Sequence, residues 1–65
     1  MAEYPNYVVH FYFDDKFKTT VSTEASRTEI ALIIAFNKLL TKTNISSNKY
    51  IIYDIDNEET YKGNF

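Results

Sequence analysis

Sixty-five residues make one domain, read as a single unit over 1–65, and a chain this short buries only about 60% of its unfolded surface on folding. It has no cysteine, which excludes disulfides and thiolate zinc sites and leaves association as the stabilising device. Seven Lys and Arg against nine Asp and Glu, a formal charge of −2, argue against duplex DNA binding driven by counterion release.

The start, Met1-Ala2-Glu3-Tyr4-Pro5-Asn6, lacks a basic segment followed by an apolar core, so no secretory signal is expected. Tyr7 to Phe13 is an unbroken β-branched and aromatic run after Pro5 and predicts the first strand. Val9, Phe11 and Phe13 form its core set, with Val8, His10 and Tyr12 on the opposite face. Asp14-Asp15-Lys16 is a polar turn. Phe17 to Ser22 then alternates Phe17, Thr19 and Val21 with Lys18, Thr20 and Ser22, predicting a hairpin partner.

Ser26 followed by Glu29 has the spacing of a capping box, and Thr23 is the earliest start the pattern allows. Glu24 and Glu29 lie near the positive end of the helix dipole, Lys38 and Lys42 near the negative end, and the helix should run to Thr41 or Lys42. Its centre, Ile30 to Phe36, is seven consecutive apolar residues. That run is far short of the roughly 20 needed to span a bilayer, so no membrane partner is expected and the protein is placed in the cytoplasm.

On the helical wheel Leu32, Ile33, Phe36, Leu39 and Leu40 fill one arc, while Ile30, Ala31, Ile34 and Ala35 fill another. One arc serves a sheet. The second, Ile30, Ala31, Ile34 and Ala35, is expected to meet another subunit in a homodimer or tetramer.

Asn44 to Asn48 reads as a connection. Lys49 to Ile55 predicts a third strand, with Tyr50 and Ile52 on one face and Ile51, Tyr53 and Ile55 on the other; two apolar faces mark it as central or interfacial. Asp56 to Glu59 makes a turn, and Thr60-Tyr61-Lys62 returns as a short fourth strand before Gly63 ends it. The expected fold is α+β, ββαβ or ββαββ, with the helix across one face of a small antiparallel or mixed sheet.

No catalytic, metal or cofactor motif emerges. His10 has no Cys, Ser or acidic neighbour at a catalytic spacing. Asp54, Asp56, Asn57, Glu58 and Glu59 superficially resemble a calcium loop, but Glu59 stands at the sixth position where Gly is required and Phe65 at the twelfth where a bidentate Glu is required. Asp14-Asp15 is explained by a turn. With Gly63 the one glycine, no phosphate-cradling loop can form.

The chain therefore reads as a non-enzymatic, self-associating protein that binds another protein as a regulator or inhibitor. Its Asn, Lys, Ile and Tyr content suits an AT-rich genome such as that of a low-GC bacterium or its phage. The rival expectation is an oligomer that sequesters a small nucleotide, with Tyr12, Tyr53 or Tyr61 stacking on a base and Arg27 or Lys18 meeting phosphate. A third is single-stranded nucleic-acid binding on the aromatic sheet face, where parity places Lys18 as the one cation. His10 completes the expected contact surface.

Overall fold

The structure, a computed structural model, describes residues 4–42 and 46–65. Of the connection expected at 44–48, Asn44 and Ile45 lie outside the described residues. The fold is ββαββ: β1 (Asn6–Phe13), β2 (Lys16–Glu24), α1 (Thr28–Lys42), β3 (Lys49–Asp54) and β4 (Glu59–Asn64). The strands make one antiparallel sheet in the order β2-β1-β3-β4, so β3 is central, and Thr60-Tyr61-Lys62 belongs to a full fourth strand. Among the described residues no helix is long and apolar enough to cross a membrane.

The β1–β2 turn is Asp14-Asp15, both left-handed at φ 51° and 65°. Two consecutive left-handed residues make the type I′ turn, whose twist matches that of a hairpin; Asp tolerates the conformation better than most residues. Such a turn pairs Phe13 with Lys16, whereas the core register pairs Phe11 with Thr19. One residue of β2 is left over, and a bulge absorbs it: Tyr12 pairs with Phe17, and Lys18 has no partner in the ladder. Simple alternation, which groups Phe17 with Thr19 and Val21, is therefore corrected. The bulge moves Phe17 to the face carrying Tyr12.

Tyr7, Val9, Phe11 and Ile52 lie against α1 as the buried floor of the core, beside Val21 and Tyr50. Phe13, expected with them, is at the strand end and 37% exposed. The stripe of α1 that meets the floor is Ala31, Ala35 and Leu39, all at 1% exposure or less. This corrects the expected subunit contact, since Ala31 and Ala35 face the sheet of their own chain. Two alanines four residues apart let the helix backbone sit close to the strands, and bulkier Ile30, Leu32, Ile34 and Phe36 close the flanks half-buried. Ile33 and Leu40, expected on the sheet side, are 57% and 59% exposed.

The helix begins at Thr28, with the Arg27 carbonyl accepting from the Ala31 N–H at 3.0 Å. Arg27 is thus the cap residue, one position later than the Ser26–Glu29 capping box requires, and no hydrogen bond joins Ser26 to Glu29. Thr23, the earliest start considered, is inside β2. β3 ends at Asp54 rather than Ile55, although the Ile55 N–H still donates to the Asn6 carbonyl.

Candidate functional site

Because α1 covers one side of the sheet, the other side is uncovered. It is built from the even-numbered residues of β1 and whatever the register sets opposite them. Across β1 and β3, Val8 pairs with Tyr53 and His10 with Ile51, making a two-by-two block at the centre of the face with Val8 and Ile51 as its apolar members. Around it stand Tyr12 and Phe17. The His10 ring meets Tyr53 edge-on at 5.1 Å between centroids and is tilted against Phe17 at 5.7 Å; Tyr12 meets Phe17 edge-on at 5.8 Å. Tilted and edge-to-face geometries are the favourable ones for aromatic pairs, so the four rings brace one another. They remain accessible: Phe17 is 52% and Tyr53 37% exposed.

His10 is tied laterally as well, with Nδ1 2.7 Å from the Thr20 hydroxyl on β2. An imidazole held on two strands and by two rings is a fixed element of the face.

The rim is charged, with both signs at the Lys49 end, where Asp14 and Asp15 form the turn, and carboxylates at the other. At one end Lys49 pairs with Tyr12 in register, and Lys62 flanks the centre as the partner of Ile51 on the edge strand β4. Lys49 Nζ also lies 2.5 Å from Asp15, an exposed ion pair bridging β3 to the first turn, while Lys62 has no ion-pair partner among the described residues. At the other end Glu24 closes β2 opposite Asn6, and the β3–β4 turn carries Asp56 and Glu58. The Asp56 carboxylate accepts from the Asn6 N–H at 2.5 Å, which pins that turn to the end of β1.

Of the expected contact residues, His10, Tyr12 and Tyr53 come together on this face. Lys18 is the unpaired residue of the bulge. Arg27 is at the start of α1, in an exposed ion pair with Glu29 at 3.3 Å. Tyr61 pairs with Ile52 and so belongs to the helix side of the sheet, where its hydroxyl bonds Glu59. That hydrogen bond, then partial burial and the negative charge of Glu59, hold the Tyr61 phenol above its ordinary pKa. The tyrosines and cations expected at a nucleotide site are thereby spread over both sides of the sheet.

Alternation overlooked three participants: Phe17, hidden by the bulge, and Lys49 and Lys62. The two lysines were legible, since Lys49 lies two residues from Ile51 on the same strand and Lys62 is its register partner once β3 and β4 are paired.

The acid-rich segment Asp54 to Glu59 is a hairpin turn. The buried Asp54 carboxylate accepts from both the Asn57 N–H at 3.1 Å and the Asn57 side-chain amide at 2.8 Å, and so folds the turn. Among the described residues no group of three or more His, Asp or Glu side chains is placed to hold a metal. Compared with known protein families, curated proteins and solved structures, the chain matches none.

Proposed function

We propose that this chain is a small non-enzymatic cytoplasmic protein that self-associates and acts by binding protein, as a regulator or inhibitor, with the uncovered face of the sheet as its contact surface. The observation that carries this reading is the braced cluster of His10, Tyr12, Phe17 and Tyr53 around an apolar centre. Aromatic residues with fixed rings lose little conformational freedom on binding and are the side chains most often responsible for interface energy. A contiguous apolar patch with a polar rim is the usual anatomy of a protein contact. The apolar stripe of α1, by contrast, is consumed by the core.

The reading is tested by sedimentation equilibrium on the wild-type chain, Tyr53→Glu and Ile33→Glu. Reversible association in wild type and Ile33→Glu, with a folded monomer in Tyr53→Glu, is the expected result. Loss of association in Ile33→Glu alone would place the contact on the helix and overturn the assignment.

A further inference from the structure

An antiparallel ladder bonds alternate residues of an edge strand to the neighbouring strand and turns the rest outward. The Phe65 N–H donates to the Asn48 carbonyl at 3.1 Å, which fixes the hydrogen-bonded pairs of β3 and β4 at Tyr50 with Gly63, Ile52 with Tyr61 and Asp54 with Glu59. Thr60, Lys62 and Asn64 therefore turn both N–H and C=O away from the sheet. On the other edge the Ala25 N–H donates to the Pro5 carbonyl at 3.2 Å, and the same alternation turns Thr20, Ser22 and Glu24 of β2 outward.

The two edges are protected unequally. Lys38 of α1 reaches the outward Ser22 carbonyl with Nζ at 3.5 Å, the bulge interrupts the ladder at Lys18, and Lys16 and Lys18 add charge to β2. The register of β4 on β3 is unbroken over its six residues, and among the described residues no Cα of α1 lies within 8 Å of β4. We infer that the β4 edge receives an extended segment of a partner protein as a fifth strand, hydrogen-bonded to Thr60, Lys62 and Asn64, with a carboxylate opposite Lys62 and apolar residues on either side of it. This contact is separate from the uncovered face.

The backbone sets the conformation of the occupant, because outward N–H and C=O groups repeating every second residue are matched by another strand. The side chains set its composition. Lys62 has no ion-pair partner among the described residues, so an acidic residue facing it makes a favourable cross-strand pair. The residues before and after that acid fall on the helix side, next to Tyr61, which is 40% exposed, and next to the Tyr50 ring that crosses Gly63. Apolar side chains fit there.

Lys62 also disfavours a second copy as the occupant. Two β4 strands paired antiparallel about a two-fold axis keep like faces together. An axis at Lys62 sets it directly opposite its own copy, and an axis at Tyr61 sets the two lysines diagonally adjacent. An axis at Thr60 brings Lys62 opposite Glu58, which is left-handed and outside the strand, so backbone pairing is lost. An acidic partner segment meets neither obstacle.

The test is a selection of phage-displayed random decapeptides on the wild-type chain, followed by titration of the enriched peptides. These are expected to carry an acidic residue between apolar ones and to shift the backbone amides of Thr60, Lys62 and Asn64 in heteronuclear NMR spectra. Lys62→Pro removes an outward N–H while leaving the bonds to β3, and should weaken binding at least about tenfold with circular dichroism unchanged. Lys62→Glu keeps the N–H and should turn the selected charge from acidic to basic. No enrichment, undiminished binding to Lys62→Pro, an unchanged charge preference in Lys62→Glu, or shifts confined to His10 and Tyr53 would overturn the inference. Concentration-dependent protection of the edge amides without peptide would assign the edge to a second copy and overturn it too. The sedimentation test of the uncovered face reads out independently of all these results.

Discussion

The ring of Tyr50 lies across Gly63. The two residues are register partners on β3 and β4, and a Cβ on Gly63 would collide with the hydroxyl end of the Tyr50 phenol, meeting the hydroxyl oxygen, Cζ and, at 2.8 Å, Cε2. Tyr50 also packs on Phe65 at 5.2 Å between centroids, and Phe65 in turn meets Phe36 of α1 at 4.6 Å and Phe11 at 6.1 Å. One missing side chain thus lets four aromatic rings close the end of the core.

Gly63→Ala forces Tyr50 out of this position. Urea denaturation should show a loss of about 1–3 kcal/mol, the usual range for overpacking. In the Tyr50→Val background the same substitution should be close to neutral, because the ring it clashes with is gone. An equal loss in both backgrounds would show that the glycine is required for backbone reasons alone.

Asp15→Gly should stabilise the chain by about 0.5–1 kcal/mol. The left-handed conformation at φ 65° costs an L residue energy that glycine does not incur. The Lys49–Asp15 ion pair lost in exchange is exposed on both sides and contributes less than that. Thermal unfolding monitored by circular dichroism checks the sign. A lower midpoint would show that the bridge to β3 outweighs the turn.

Tyr61 ionises later than an ordinary tyrosine, first because its hydroxyl bonds the Glu59 carboxylate and then through partial burial and nearby negative charge. A raised pKa in the folded state means the folded chain holds this proton more tightly than the unfolded one. The associated stability is complete below the unfolded tyrosine value near 10 and is lost as pH rises through the folded value. The difference between wild-type and Tyr61→Phe absorbance titrations near 295 nm isolates this phenol among six tyrosines. Glu59→Gln should move its ionisation down, and an unmoved titration would remove Glu59 as the principal cause.

How much of the fold and of the contact face was legible in the chain depends on what each signal measures. Alternation of apolar residues located β1, β3 and their faces, because a strand's side-chain period is fixed by the backbone. It failed at Phe17, where turn geometry and core register conflict by one residue and only the assembled hairpin reveals the bulge. The wheel located α1 but misjudged its inward stripe. Bulk suggested Leu32, Ile33 and Leu40, whereas close approach to the sheet favours the small Ala31 and Ala35. Turn signals mark Gly63 as a terminator, but its role lies in a ring contributed by another strand, and nothing adjacent in sequence reports that.

The most direct test of the sheet-to-sheet dimer is an isotope-filtered NOE experiment on a mixture of labelled and unlabelled chains at concentrations where the dimer forms. Contacts between the Val8, His10, Ile51 and Tyr53 side chains of one protomer and those of the other are the predicted result. Intermolecular contacts confined to Ile33 and Leu40 on the outside of α1, or none at all, would contradict it.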